Sequence, residues 1–284
     1  MHNLAIALHK KGHEVSGSDD AIFDPSRSRL AKHGLLPQQM GWNADNITTG
    51  LDAVILGMHA KEDNPELKRA QDLGIRVYSF PEFVYEECRN KTRIVVAGSH
   101  GKTTTTSMIM HVLRECKMDF DYMVGSSVEG FEDSVKLSDA PIVVLEGDEY
   151  LTSPIDRRPK FIWYKPQILM VTGIAWDHIN VFPTFDGYVN QFRNLIEDQQ
   201  KGALVYFVKD AELDQIVNEQ FKPDVFIKPY DTPEYEVEAG QTQVKHEGIS
   251  TALRIIGEHN LQNMEGARLI CEEVGIGADA FFRA

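Results

Sequence analysis

The sequence predicts an α/β protein of two units, each a mainly parallel sheet with helices on its faces. Three observations carry this. Short runs rich in Val, Ile, Leu and Tyr alternate with amphipathic helical stretches along the chain, the pattern of strands joined by crossover helices. The 284 residues, 42% of them hydrophobic, suffice for two buried cores. A glycine-rich turn at residues 98–101 joins an apolar run to a helix that opens on Lys-Thr, an arrangement that cradles phosphate.

Taken in order, HNLAIALHKKG (2–12) reads as a helix closed by Gly12, and EVSGS (14–18) as the strand that follows. In DPSRSRLAKHG (24–34), Asp24 is the expected N-cap, Pro25 stands at N1 and Gly34 ends the helix. NPELKRAQDLG (64–74) repeats that device between the strands DAVILG and IRVYS, and PEFVYEE (81–87) adds a short helix. This first unit, residues 1–90, reads as Rossmann-like but begins on a helix, so its first strand and glycine turn are expected upstream of Met1.

The polar stretch ECRNKTR (87–93) is the expected boundary. Residues 91–284 read as a P-loop-type ATPase unit: strands IVVAG, DYMVG, PIVVLEG, KFIWY and ILMVTG, a helix from Lys102 to Glu115, and a long helix through TFDGYVNQFRNLIED. Then come ALVYF, a helix at AELDQIVNEQ, VFIKP, an antiparallel stretch over 235–256, and a last full helix at HNLQNMEGARLICEEVG. GADAFFRA starts a further helix, and both ends read as cut.

Composition narrows the function. Lys and Arg total 29 against 43 Asp and Glu, a net charge of −14, which argues against a general nucleic-acid binder. No apolar run approaches a membrane span or a signal peptide, so the expected compartment is the cytoplasm. Three widely spaced cysteines, Cys88, Cys116 and Cys271, form neither a zinc motif nor a disulfide framework.

The chemistry concentrates in VVAGSHGKTTTTSM, residues 95–108. Gly98, Ser99, His100 and Gly101 make the turn, and the backbone N–H groups that follow, with Thr104 among the first residues of the helix, face an anion. Lys102 reaches toward β- and γ-phosphates and the Thr103 hydroxyl toward Mg²⁺. Val96 stands where a full P-loop has its first glycine, so the motif is a shortened variant; an ordinary β-turn-α is the bland alternative. Mg²⁺ also takes a carboxylate, and IVVLEGDEY supplies Glu146, Asp148 and Glu149 at a strand end, where solvated charges are equally at home. Asp177 and His178 follow the strand ILMVTG in the same way. Ser18 and Asp19 fall where a nucleotide ribose would bind, and a turn or helix cap accounts for them equally well.

G-S-H-G-K-T-T-T-T, E-G-D-E-Y, the strand followed by W-D-H, and G-E-H-N-L-Q-N, in this order, resemble the Mur ligase family of peptidoglycan enzymes over essentially the whole chain. The resemblance implies three domains: a UDP-sugar domain, a central ATPase domain and a C-terminal domain for the incoming amine, the last expected to lie outside this chain. It implies ATP and Mg²⁺ as cofactors, UDP-N-acetylmuramate as one substrate and an amino acid or peptide amine as the other. The acyl phosphate of the lactyl carboxylate would be attacked by that amine. It assigns Lys102, Glu146 and His178 to catalysis, Thr103, Glu146 and His178 to metal, and His259, Asn260 and Asn263 to adenine and ribose. Asn260 could equally cap the last helix. Residues 153–166, SPIDRRPKFIWYKP, are similar to the branch that takes the L-Ala-γ-D-Glu-meso-diaminopimelate tripeptide in peptidoglycan recycling; L-alanine as the amine, and a nucleotide-binding module without ligase activity, are the alternatives. The family's carbamylated lysine is not expected, because NQFRNLIE carries Arg193 and no lysine.

Overall fold

A computed structural model describes the chain except residues 59, 154–155, 178, 221 and 247–248. It opens with helix α1 (His2–Lys10), α2 (Ser26–Lys32), strand β1 (Ala53–Leu56), α3 (Pro65–Asp72), β2 (Arg76–Ser79) and α4 (Phe80–Cys88). β1 and β2 pair in parallel. The helix starts obey local chemistry. Asn64 accepts from the backbone N–H groups of Glu66 and Leu67 at 2.9 and 3.1 Å, with Pro65 at N1. Ser79 and Glu82 form a reciprocal capping box on α4. Asp24 bonds the Ser28 N–H at 3.0 Å, but Pro25 takes the cap position and α2 begins one residue later than the sequence suggests.

The expected strand at residues 14–18 does not form. A strand is defined by its ladder, and no described strand pairs with this segment; Ser18 is bound to Glu66 of α3, its hydroxyl donating at 2.8 Å.

The rest is built on β3 (Thr92–Ala97), α5 (Lys102–Glu115), β4 (Phe120–Met123), β5 (Val135–Lys136), β6 (Ile142–Glu146), β7 (Leu151–Ser153), β8 (Asp156–Pro159), α6 (Lys160–Trp163) and β9 (Ile168–Val171). α7 (Phe185–Asp198), β10 (Gly202–Phe207), α8 (Ala211–Glu219) and β11 (Val225–Tyr230) follow. The antiparallel β12 (Tyr235–Glu238), β13 (Gln241–His246) and β14 (Ile249–Leu253) then lead into α9 (Glu258–Glu273) and α10 (Ala278–Arg283). The central sheet has the order β11-β10-β9-β3-β6-β4-β5, parallel except for β4 with β5. β3 therefore lies between β6 and β9, and the crossover from β6 to β9 passes over it, placing the switch of strand order at the C-terminal ends of these three strands.

Strand alternation divides the core between the two faces. Val95, Ala97, Leu145, Leu169 and Leu204 meet Phe161, Tyr188, Phe192 and Leu213 on one face, joined there by Leu4 and Leu8 of α1 and Val84 and Cys88 of α4. Ile94, Val96, Val144, Met170 and Val205 meet Ile109, Leu113, Leu261 and Met264 of α5 and α9 on the other. The cysteines are free thiols, and burial pushes those of Cys88 and Cys271 up to about 12, which leaves them unreactive. No helix among the described residues is long and apolar enough to cross a membrane.

Two sequence expectations change here. KFIWY is helical, not a strand: Phe161 and Tyr164, three residues apart, are buried on one side, and that burial overrides the β propensity of the run. Within the polar stretch 87–93 only Arg89 and Asn90 are exposed; Arg93 is buried inside β3. Its guanidinium donates to the carbonyls of Cys88, Arg89 and Lys91 at the end of α4 and of Tyr164 and Lys165 after α6, at 2.7–3.2 Å. Five carbonyls from two chain turns are thus satisfied by one planar donor set. A lysine cannot reproduce that fork. Arg93→Lys is expected to lower unfolding free energy by about 2–4 kcal/mol, read from the urea midpoint, because several buried carbonyls lose their donors.

Candidate nucleotide site

At the C-terminal end of β3 the chain turns through Gly98 (φ +124°) and Gly101 (φ +80°) into α5. Both positions demand glycine for space as well as for conformation. A Cβ on Gly98 would strike the Thr172 hydroxyl and come within 2.8 Å of the Thr172 backbone nitrogen; one on Gly101 would strike the Asn263 amide. The turn is laced to the chain after β9: Ser99 N–H donates to Gly173 C=O at 3.0 Å, Ala175 N–H to Ser99 Oγ at 2.8 Å, and the Thr172 hydroxyl to His100 C=O. Among the described residues no side chain caps α5, which leaves the N–H groups of its first turn to an anion.

The helix start sets the side chains. Lys102 Nζ donates to Gly98 C=O at 2.6 Å and to Glu149 Oε2 at 3.1 Å, and the Glu149 carboxylate is fully buried. The Thr103 hydroxyl donates to Glu146 Oε1 at 2.9 Å, while Gly125 N–H holds the other Glu146 oxygen at 3.1 Å. A hydroxyl and a carboxylate side by side, next to an open helix N-terminus and a lysine, form the donor set that Mg²⁺ and a triphosphate require. The residues present fit that pair.

Asn263 closes over Gly101, and His259 and Asn260 are exposed on the first turn of α9. Asn260 does not cap that helix: Gly257 holds the cap position, and the Asn260 amide donates to Ile256 C=O at 2.9 Å. Thr104 and His100 are exposed beside the cradle. Asp148 is paired with Lys160 at 2.6 Å. Ser18 is tied to Glu66, and Asp19 is exposed with its carbonyl accepting from Gly41 N–H at 2.8 Å. His178 lies outside the described residues. Arg193, where a modified lysine is not expected, pairs with Glu219 of α8. Sequence reasoning missed Thr172 and Tyr188; Thr172 was within reach as the residue after a buried strand, whereas nothing in FDGYVNQF marks Tyr188.

A family model for the Mur ligase middle domain matches residues 96–271, and one for the Mur ligase family, catalytic domain, matches residues 1–92. The chain belongs to the Mur ligase family. A UDP-N-acetylmuramate–L-alanyl-γ-D-glutamyl-meso-2,6-diaminoheptandioate ligase of Escherichia coli (strain K12) is 29% identical over 99% of this chain and 63% of its own length. A UDP-N-acetylmuramate–L-alanine ligase of Lactobacillus acidophilus is 35% identical over 76% of the chain and 46% of its own length. The chain thus spans about half to two thirds of these curated relatives. Among solved structures, the UDP-N-acetylmuramate:L-alanyl-γ-D-glutamyl-meso-diaminopimelate ligase from Neisseria meningitides superimposes with a TM-score of 0.87 at 25% identity, covering 100% of this chain and 93% of that one. The fold, with its mostly parallel central sheet, is that of the Mur ligases.

The two glycines separate by what they touch. Gly98→Ala is expected to destabilise the protein by about 2–4 kcal/mol in denaturant unfolding, because backbone of Thr172 and Gly173 stands behind the Thr172 hydroxyl; Gly101→Ala meets only a movable side chain and is expected to cost about 1 kcal/mol, the strain of its positive φ.

Proposed function

We propose that the chain forms the UDP-sugar-binding part, residues 1–90, and the ATP-binding part, residues 91–284, of an ADP-forming ligase. The ligase would join L-Ala-γ-D-Glu-meso-diaminopimelate to UDP-N-acetylmuramate. One observation carries the reading: Lys102, Thr103 and Glu146 converge beside the Gly98–Gly101 cradle at the switch point of the sheet. Lys102 neutralises charge on the β- and γ-phosphates, and Thr103 with Glu146 would hold Mg²⁺, which neutralises phosphate charge when bound. The lactyl carboxylate takes the terminal phosphoryl group, and the amine displaces phosphate from that acyl phosphate to give the amide. The protein's contribution is placement and charge neutralisation. His259, Asn260 and Asn263 are proposed to meet adenine and ribose, and His178 a second metal ion. Ser18, Asp19 and Asp148 are proposed to face the substrates, whereas Glu149, expected there as well, is fully buried against Lys102. Nucleotide substrates of this kind support a cytoplasmic site of action.

The tripeptide is favoured as amine by the E. coli relative, matched over 99% of the chain, and by the Neisseria structure. L-Alanine is the second reading, favoured by the 35% identity of the L. acidophilus enzyme.

Mg²⁺-dependent ADP release by the full-length protein, given UDP-N-acetylmuramate and either amine, tests this. Turnover with tripeptide is the expected result, and turnover with L-alanine alone would replace it with the second reading. Binding of ATP, abolished by Lys102→Ala, without turnover on either amine would leave a nucleotide-binding module. In the active enzyme, Glu146→Gln is expected to lower kcat about 10²–10³-fold, with the deficit partly recovered at high Mg²⁺.

A further inference from the structure

Tyr188 has no part in the chemistry above, yet its hydroxyl reaches the centre of the site. Its ring is fully buried, edge-on to Phe182 and Phe192 with centroids 5.3 Å away in each case. Its oxygen lies 2.8 Å from Ser99 Oγ and 3.3 Å from Glu149 Oε1. Counting protons fixes the direction of these bonds. Glu149 as a carboxylate can only accept, so Tyr188 donates to it and takes the Ser99 proton on its own oxygen. Ser99 Oγ in turn accepts from Ala175 N–H at 2.8 Å. Burial first, and the neighbouring Glu149 charge after it, push the Tyr188 phenol above its ordinary value, so it keeps its proton.

The chain of bonds runs from Ala175 through Ser99, Tyr188 and Glu149 to Lys102, and from Lys102 back to Gly98 C=O. It ties together the turn after β3, the segments after β6 and β9, and α7. We propose that Tyr188 is a positioning residue of the nucleotide site: its hydroxyl, held by Ser99, orients the Glu149 carboxylate, which sets where the Lys102 ammonium stands. This rests on the reading of the cradle as a triphosphate site. The ring alone suffices for packing, since α7 is also held through Val189, Leu195 and Ile196. The hydroxyl serves the carboxylate. Without that donor, buried Glu149 claims Lys102 more strongly, and a triphosphate must compete harder for the same ammonium.

Calorimetric titration of the full chain with the β,γ-imido analogue of ATP in Mg²⁺, and separately with AMP, tests this. Tyr188→Phe keeps the ring and is expected to weaken the triphosphate analogue about tenfold while leaving AMP, which lacks the phosphates Lys102 meets, unchanged. In a double-mutant cycle with Glu149→Gln, the double variant is expected to bind no more weakly than Glu149→Gln alone. Wild-type affinity in Tyr188→Phe, equal loss for both nucleotides, or additive effects in the cycle would overturn the positioning role alone. Failure of the unaltered chain to bind the analogue would overturn that role together with the nucleotide reading. Should Tyr188→Phe not fold, Ser99→Ala removes the donor behind Tyr188 together with the Ala175 contact and is expected to weaken the triphosphate analogue more than AMP; equal weakening of both would overturn the positioning role.

Discussion

Everything in the site depends on how closely the turn after β3 approaches the chain after β9. The Gly98 backbone lies so near the Thr172 backbone that no side chain fits between them, and the bonds from Ser99 to Gly173 and Ala175 fasten the approach. That contact fixes the angle at which α5 leaves the sheet, and with it the positions of Lys102 and Thr103. It is a constraint of volume before it is one of charge. The charge arrangement follows, because a helix that starts there points its open N–H groups over the edge of the sheet.

Electrostatics in this protein are local. The chain as a whole carries a net charge of −14, yet its candidate phosphate site holds a lysine and an uncapped helix start. The acidic groups around it are engaged: Glu149 by Lys102 and Tyr188, Glu146 by Thr103 and Gly125, Asp148 by Lys160. A buried carboxylate held in this way costs less than an unpaired one and keeps the lysine in place before any ligand arrives. An acidic surface and a local candidate phosphate site are therefore compatible.

The two stretches of chain that bracket residue 90 share one apolar cluster. Leu4, Leu8, Val84 and Cys88 pack on the same face of the central sheet as Phe161 and Tyr164. Arg93 sits at that junction and ties the end of α4 to the turn after α6. Residues 156–166 thus lie between α4 on one side and the loop bearing Asp148 and Glu149 on the other. Lys160 fastens these residues to that loop, with its backbone N–H on Tyr150 C=O at 2.9 Å and its ammonium on Asp148.

Local chemistry made most elements legible. Asn64-Pro65, Ser79 with Glu82, the glycines and the run from Lys102 to Glu115 each encode their structure within a few residues, and so does the cradle motif. The misreadings share a cause. Residues 14–18 have strand composition but no ladder partner among the described residues, KFIWY has β propensity but is curled by the burial of Phe161 and Tyr164, and polar Arg93 is buried because five carbonyls await it. By itself the sequence determined the α/β class, the family and the candidate side chains of the phosphate cradle, since these rest on spacing along the chain. The tertiary structure decided that Glu149 engages Lys102, that Glu146 meets Thr103, and that Tyr188 reaches both Ser99 and Glu149. Residues 39 to 89 positions apart are brought together by the order of the strands, and no local pattern records that order.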